Sequence, residues 1–270
     1  MPQVRGPRQW RRRAFLGEMG KGTMAFAVLA PAFIAACSDD GDTTAPGTTS
    51  TSTTTTANTT APPETTSTSD GLPPQPGLTW ARSKIGNVSA YVLIRGSEAA
   101  VVDTGVPGSA DDIGETLAGV GLDYSNVAHV VLTHLHPDHI GSIGEVMQMA
   151  AGATAYAGED DIGGIDFDPI TPAADGDEIF GLEVIATPGH TNGHISVIDH
   201  DVGLLVAGDA LNTQGGGVQG PNPTFSTDHS VAEDSARRLA ELSFNTLLAG
   251  HGDPIEDMAD TAVAAMAAAL

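Results

Sequence analysis

The feature that most restricts the fold of this chain is a short segment crowded with side chains that bind metals. Within Thr133–His139, four such side chains occur in six residues. They are His134, His136, Asp138 and His139. The segment follows the β-branched apolar run Val127–Leu132, which predicts a strand, and apolar residues at helical spacing begin at Ile140. Residues two apart on a helix point to different faces, so these ligands converge best from a loop. The sequence therefore predicts a metal-binding loop between a strand and a helix.

Three further residues of ligand type occupy similar positions later in the chain. His190, Asp209 and His251 each follow a short run that predicts a strand, and each has a glycine directly before it. Rigid strands that end in glycine turns can direct several side chains at one point. We expect these three residues to join the histidine loop in one site.

The remainder of residues 77–270 alternates between strand-like and helix-like patterns, with Gly or Pro at nearly every boundary. The predicted strands are Val88–Ile94, Ala99–Val102, Val127–Leu132, Glu183–Ala186, Ile195–Ile198 and Leu204–Val206. The predicted helices are Ala110–Val120, Ile140–Ala150, Ser230–Leu242 and Ile255–Ala268. Nearly 200 residues can bury a sizeable core. The pattern predicts one folded α/β domain over 77–270.

The order and spacing of these ligand-type residues resemble the metallo-β-lactamase fold superfamily, from Asp103 to His251. The resemblance implies an αββα sandwich with a two-metal site at one edge between two sheets. It also implies that Asp103 lies behind the ligands and stabilises the position of the histidine loop. The ligands carried over by position are His134, His136 and His190 for the first metal, Asp138, His139 and His251 for the second, and Asp209 as a bridge between them.

Imidazole and carboxylate ligands suit zinc, which we expect in both positions, and they also suit manganese or iron. Two such divalent ions can hold a bridging hydroxide that acts as a nucleophile near neutral pH. Asp138 is the candidate catalytic residue, because a carboxylate beside this water could pass a proton to the leaving group. The predicted activity is hydrolysis of a small-molecule ester, lactone, thioester or amide.

Two groups of residues are predicted to support the site. The resemblance to the metallo-β-lactamase fold superfamily implies that His194 lies close to the ligands, as a histidine at this position commonly does there. We expect His194 to make a supporting hydrogen bond. The long Gly- and Pro-rich loop Leu211–Asp228 lies between two ligands, and long loops of this kind often cover active sites. Its candidate substrate contacts are Asn212, Asn222 and Phe225.

The first 76 residues predict export and anchoring. Arg11–Leu16 resembles the twin-arginine (Tat) export pattern, and the apolar stretch after it ends at Cys37, which resembles a lipobox cysteine. We therefore expect a signal peptide over 1–36, lipidation at Cys37 and localisation on the outer face of the cell membrane. Residues 37–76 are rich in Thr, Ser and Pro and poor in large apolar residues, which predicts a disordered linker.

The amino-acid composition argues against certain partners and metal sites. Residues 37–270 carry five Lys and Arg against 33 Asp and Glu, so nucleic acid is not an expected partner. The single cysteine excludes a Cys-rich metal site. Two alternatives to the hydrolase stay open: a mononuclear iron dioxygenase of the same fold, and a non-catalytic lipoprotein that displays a metal-stabilised domain. The sequence makes no prediction of the oligomeric state.

Overall fold

The structure is a computed structural model, and it describes residues 77–270. The predicted signal peptide (1–36), the candidate lipidation residue Cys37 and the predicted linker (37–76) lie outside these residues. Among the described residues, no helix combines the length and the apolar character that crossing a membrane requires.

The first sheet contains six strands in the order β1-β2-β3-β4-β5-β6. They are β1 Thr79–Ile85, β2 Val88–Arg95, β3 Glu98–Val102, β4 Val127–Leu132, β5 Thr154–Gly158 and β6 Thr171–Ala173. Strands β1, β2 and β3 pair antiparallel through two-residue turns. Strands β3 to β6 pair parallel.

The second sheet contains five strands in the order β11-β10-β9-β8-β7. They are β7 Glu178–Ile179, β8 Leu182–Ala186, β9 Ile195–Asp199, β10 Leu204–Gly208 and β11 Thr246–Ala249. All neighbours in this sheet are antiparallel except β10 and β11.

Within residues 77–270, five helices and one 3₁₀ turn, Tyr124–Asn126, lie between strands, and a sixth helix follows the last strand. The helices are α1 Ala110–Gly119, α2 Pro137–Ile140, α3 Ile143–Met149, α4 Glu159–Ile162, α5 His229–Leu239 and α6 Ala259–Ala267.

Three layers of buried side chains define the architecture. On β10, Leu204 and Val206 pack between the two sheets, whereas Leu205 packs beneath α5 and α6. On β3, Val101 packs against α1 and α3. Successive residues of a strand point to opposite faces, so strands that are covered on both faces are apolar at nearly every position. The expected αββα sandwich is confirmed.

Two predicted helices have different limits in the structure. The helix predicted over Ile140–Ala150 is interrupted, since α2 ends at Ile140 and α3 begins at Ile143. The helix predicted over Ile255–Ala268 begins only at Ala259. Ile255 instead exchanges backbone hydrogen bonds with Leu247 on β11 at 2.8 and 3.0 Å, and this extended pairing precludes a helix at that residue.

Candidate metal centre

The predicted ligands lie where strands of both sheets end. From the first sheet, β4 leads into the loop that carries His134 and His136, and α2 carries Asp138 and His139. From the second sheet, single ligands follow β8, β10 and β11. These are His190, Asp209 and His251. The structure brings all seven side chains together at one edge of the sandwich.

The first group of three contains histidines alone. Nε2 of His134 lies 3.1 Å from Nδ1 of His136, and Nε2 of His190 lies 2.9 Å from the same Nδ1. Zn–N bonds of about 2.0–2.1 Å place the nitrogens of a tetrahedral site about 3.3 Å apart. The three nitrogens all lie within 4.8 Å of one another, close enough for one metal ion to contact them all.

The second group combines one carboxylate with two histidines. Nε2 of His251 lies 3.4 Å from Oδ2 of Asp138 and 3.5 Å from Nε2 of His139. The remaining side of this triangle, from His139 Nε2 to Asp138 Oδ2, is 3.8 Å. This spacing also suits one divalent ion, and the donor set of nitrogen and oxygen suits zinc, manganese or iron.

Asp209 lies between the two groups. Its Oδ2 is 3.4 Å from Nε2 of His190, a member of the first group, and 3.4 Å from Nε2 of His251, a member of the second. Its Oδ1 is 3.4 Å from Nε2 of His139. Among the described residues, this buried Oδ1 has no hydrogen-bond partner. A buried carboxylate oxygen without a donor is costly, and a bound cation would satisfy it.

The two groups contain histidines whose pKa values are shifted in opposite directions. Burial, and then the neighbouring histidines, hold the pKa of His134 well below its usual value, and burial lowers the pKa of His190 to about 4. Hydrogen bonding to Asp138, and then to Asp209, raises the pKa of His251 to about 10. His134 and His190 are therefore neutral and ready to bind a metal, whereas His251 must lose a proton to do so.

Asp103 lies behind the ligands, where the resemblance places it. It is buried, and its carboxylate accepts hydrogen bonds from the backbone N–H of Thr133 at 2.8 Å and from Nδ1 of His139 at 2.7 Å. With Nδ1 engaged in this way, Nε2 of His139 is left to face the site. Such outer contacts orient a ligand and fix its tautomer.

His194 lies beside the first group but contacts the backbone of the bridging residue. Its Nε2 accepts a hydrogen bond from the backbone N–H of Asp209 at 3.0 Å. Burial, followed by the nearby His190, holds the pKa of His194 well below its usual value, so the ring is neutral and its hydrogen is on Nδ1. That nitrogen lies 2.7 Å from Oγ1 of Thr187. His194 thus orients Asp209.

Close packing explains a glycine beside one ligand. A Cβ on Gly250 would lie 2.3 Å from Oδ1 of Asp209 and 2.6 Å from Cε1 of His139. Both distances are far below van der Waals contact, so only glycine allows β11 to deliver His251 next to these ligands.

The predicted substrate loop contributes one residue to the cavity at the ligands. The cavity measures about 360 Å³, and Phe225 lines it together with Asp138, Asp209 and His251. Asn212 and Asn222 do not line it. Their side-chain oxygens accept hydrogen bonds from backbone N–H groups of the same loop, those of Gln214 at 2.7 Å and Thr224 at 3.0 Å.

Two contributors to the site have no signal in the sequence. The backbone carbonyl of Asn87 accepts a hydrogen bond from Nδ1 of His251 at 2.8 Å, which turns Nε2 toward the other ligands. Asp161 is a buried carboxylate bonded to both loops that carry the three histidines. It belongs to a run of three acidic residues, and such a run is typical of a solvated surface.

Comparison with known proteins agrees with this geometry. The family model described as Metallo-beta-lactamase superfamily matches residues 84–251, which is more than half of the chain. The chain belongs to the metallo-beta-lactamase superfamily. The fold of this superfamily implies divalent metal binding, and the clustered His and Asp side chains lie within the matched residues.

Similar proteins include enzymes and solved structures of the superfamily. Metallo-beta-lactamase domain-containing protein 1 of Xenopus laevis is 30% identical over 175 residues, which cover 61% of this chain and 71% of that protein. A hydroxyacylglutathione hydrolase of Aeromonas hydrophila subsp. hydrophila is 34% identical over 152 residues, and the match covers 53% of each chain. The crystal structure of a metallo-beta-lactamase family protein from Thermus thermophilus has a TM-score of 0.58 and 26% identity, covering 72% of this chain and 79% of that one.

Proposed function

We propose that this protein is a dinuclear metal-dependent hydrolase that cleaves a small ester, lactone, thioester or amide. The observation that carries the proposal is the position of Asp209. Its Oδ2 is 3.4 Å from His190, and its Oδ1 is 3.4 Å from His139, so one carboxylate contacts a member of each group. A carboxylate in this position would be suited to serve as a ligand shared by two metals.

Two divalent ions bound to these groups would supply a water-derived nucleophile near neutral pH and a Lewis acid for the carbonyl oxygen. Asp138 would move the proton. Its side chain is 41% exposed and lines the cavity, so a leaving group can reach it. A carboxylate is ionised at neutral pH, so Asp138 can accept a proton before passing it on.

The loop Leu211–Asp228 would form one wall of the substrate site. Thr213 N–H donates to the carbonyl oxygen of His251, and Thr227 N–H donates to that of His190, both at 3.0 Å. Both ends of the loop are therefore tied to metal-ligand residues. Between them, Phe225 presents an apolar ring to the cavity, whose volume of about 360 Å³ suits a small molecule.

Two observations favour a two-metal hydrolase and indicate which substrates to include. The complete second group supports two metals, because a mononuclear iron dioxygenase would leave Asp138, His139 and His251 without a role. The similarity to a protein named hydroxyacylglutathione hydrolase supports the inclusion of thioesters among the candidate substrates.

The test combines metal analysis with a hydrolysis assay on the full chain. We expect about two zinc or manganese ions per chain, and turnover of at least one member of a panel of esters, lactones, thioesters and amides. The variants His190→Ala and His251→Ala should each lose about one ion and most of the activity. His200→Ala is the control, since His200 is an exposed residue that contacts Glu183 at 2.8 Å.

Two results would contradict the proposal. One iron per chain, with no second ion taken up from added metal, would favour the dioxygenase. Two bound ions without hydrolysis of any substrate in the panel would favour a metal-stabilised non-catalytic protein.

We also propose that the protein is exported and held at the outer face of the cell membrane through Cys37. The support is the twin-arginine-like segment Arg11–Leu16 and the position of the single cysteine at the end of the apolar stretch. The variant Cys37→Ser should move the protein from the membrane fraction to the soluble fraction and abolish labelling with a radioactive fatty acid. Unchanged fractionation and labelling would show that Cys37 is not the anchor.

A further inference from the structure

Asp161 is a buried carboxylate that is not one of the seven ligands. It lies in α4, its solvent exposure is 0%, and among the described residues it forms no ion pair. A buried carboxylate without a cation is costly unless hydrogen bonds surround it. The donors that surround Asp161 all belong to the two loops that carry the first group of ligands, His134, His136 and His190.

The first contact reaches the loop after β4. Oδ2 of Asp161 accepts a hydrogen bond from the backbone N–H of Leu135 at 3.0 Å. Leu135 lies between His134 and His136, whose ligand nitrogens are 3.1 Å apart. A shift of this peptide would therefore change the positions of two ligands at once.

The second set of contacts reaches the loop after β8. The hydroxyl of Thr191, the residue after His190, donates to Oδ2 of Asp161 at 2.5 Å, and the backbone N–H of Gly193 donates to Oδ1 at 2.8 Å. The fit is tight, because a Cβ on Gly193 would lie 2.4 Å from the backbone nitrogen of Asp161. The loop with His190 thus packs directly on α4.

We propose that Asp161 is a positioning residue that holds the three histidines of the first metal in register. The proposal rests on the proposed function, in which these histidines bind a metal. The carboxylate joins Leu135 of one loop to Thr191 and Gly193 of the other, next to the ligands themselves. The backbone bond from Ile195 N–H to the carbonyl oxygen of Thr133, at 2.8 Å, joins the same two loops nearer their strands.

The two metal positions should differ in their dependence on Asp161. Asp103 bonds to His139 at 2.7 Å and so orients a ligand of the second group. The contacts of Asp161 are confined to the loops of the first group. Loss of Asp161 should therefore weaken one metal site selectively, whereas a general loss of folding would weaken both.

The variant Asp161→Asn tests this directly. Both carboxylate oxygens accept hydrogen bonds, so an amide of the same shape must turn its NH₂ group toward a donor and lose at least one bond. We expect the affinity of the three-histidine site to fall roughly 10- to 100-fold, which is typical for residues that orient ligands, while the other site changes by less than about threefold. The measurement is a titration of the metal-free full chain with Zn²⁺ in competition with a chromophoric chelator. His190→Ala and His251→Ala identify which binding step belongs to which group.

Matched variants separate positioning from stability. Asp160→Asn changes the exposed neighbour on the same helix and should leave both binding steps unchanged. Thr191→Val removes one donor to Asp161 and should weaken the same step to a smaller extent, and Thr191→Ser should restore it. With Co²⁺ in place of Zn²⁺, Asp161→Asn should change the visible absorption bands of the three-nitrogen site, a readout that lower stability alone would not alter.

The outcomes are distinguishable. Selective weakening of the three-histidine step supports the proposal. Two unchanged steps in Asp161→Asn, or equal weakening of both, would overturn the role of Asp161 and leave the metal centre standing. Absence of both steps in the unmodified protein would overturn the metal centre itself, and the role of Asp161 with it.

Discussion

His251 is the residue whose charge most directly couples the site to pH. Asp138 and Asp209 raise its pKa to about 10, so the metal-free protein carries a proton there at neutral pH. Because the folded pKa exceeds the unfolded value of about 6.5, this proton stabilises the metal-free fold fully below pH 6.5. That contribution is lost as the pH rises through about 10. The contribution of His190 to folding stability depends on pH in the opposite direction. Burial lowers its pKa to about 4, so this contribution is lost as the pH falls from 6.5 toward 4.

Metal binding should therefore release a proton from His251. At pH 8 we expect about one proton per chain on filling of the second site, because metal and proton compete for the same Nε2. Calorimetric titration in buffers of different ionisation enthalpy measures this number. His200→Ala should release the same number, and His251→Ala should release about one fewer. Equal release from the unmodified protein and from His251→Ala would contradict the assignment.

Phe225 is the residue that should set preference for apolar substrates. Its side chain is 62% exposed, yet it lines the cavity at the ligands, so a substrate can cover it. Phe225→Ala should raise KM for apolar substrates up to about tenfold, equivalent to about 1.4 kcal/mol, with kcat and metal content unchanged. Steady-state kinetics with a series of acyl chain lengths measures the effect.

Val120→Ala is the control for this prediction, because Val120 is an exposed apolar residue at the end of α1. It should leave KM unchanged for every chain length. If Phe225→Ala also leaves KM unchanged for every chain length, the loop Leu211–Asp228 does not form the substrate wall.

At the scale of elements, Tyr91 joins the two sheets next to the site. Its hydroxyl, on β2, donates to the carbonyl oxygen of Ala249 at the end of β11 at 2.8 Å, and burial raises the pKa of Tyr91 to about 12. Tyr91→Phe leaves this buried carbonyl without its donor and should lower the free energy of unfolding by about 1–3 kcal/mol. Urea denaturation followed by circular dichroism measures the change.

Tyr156→Phe is the matched control, because the Tyr156 hydroxyl makes no hydrogen bond to any described residue. Its free energy of unfolding should change by less than about 0.5 kcal/mol. Equal effects of the two substitutions would show that the Tyr91 hydroxyl does not hold the sheets together.

The elements that sequence patterns missed are those that depend on neighbours. Strand β1, Thr79–Ile85, contains Arg82 and Lys84 and lacks a continuous apolar run. It forms because β2 pairs with it over seven residues, with Arg82 held to Ser89 and Asp253. Strand β6 has only three residues and takes its conformation from pairing with β5. Local periodicity does not encode such pairing, since the partner strand supplies the hydrogen bonds.

At the scale of the whole molecule, the seven candidate ligands connect the two sheets. The first sheet supplies four of them through β4 and α2, and the second supplies three through β8, β10 and β11. Bound metal would therefore cross-link the two halves of the sandwich at one edge. An ion that binds only the folded state stabilises it by about 4 kcal/mol at a thousandfold excess over Kd.

Chelation should lower the thermal stability of the full chain. We expect a clear fall in Tm on metal removal, together with faster hydrogen exchange at β10 and β11, and recovery of both on addition of zinc. Differential scanning calorimetry and exchange mass spectrometry measure the two effects. The double variant His190→Ala/His251→Ala should not respond to the chelator. A chelator response of the same size in that variant would show that the stabilising ion lies elsewhere.

The sequence by itself determined the kind of chemistry and its order along the chain. The residue types in Thr133–His139 are ones that bind metals, and the apolar runs before His190, Asp209 and His251 place those residues at strand ends. Both signals are local, because they depend on side-chain chemistry and on short continuous runs of apolar residues.

Only the tertiary structure decided how closely these groups approach and which carboxylates are buried beside them. His136 and His190 are 54 residues apart, and their nitrogens approach to 2.9 Å because two separate sheets pack face to face. Asp160 and Asp161 are chemically identical neighbours, yet only Asp161 is buried, because the loops after β4 and β8 close over its side of α4. Burial and long-range contact arise from the packing of distant elements, so no local pattern could distinguish the two carboxylates.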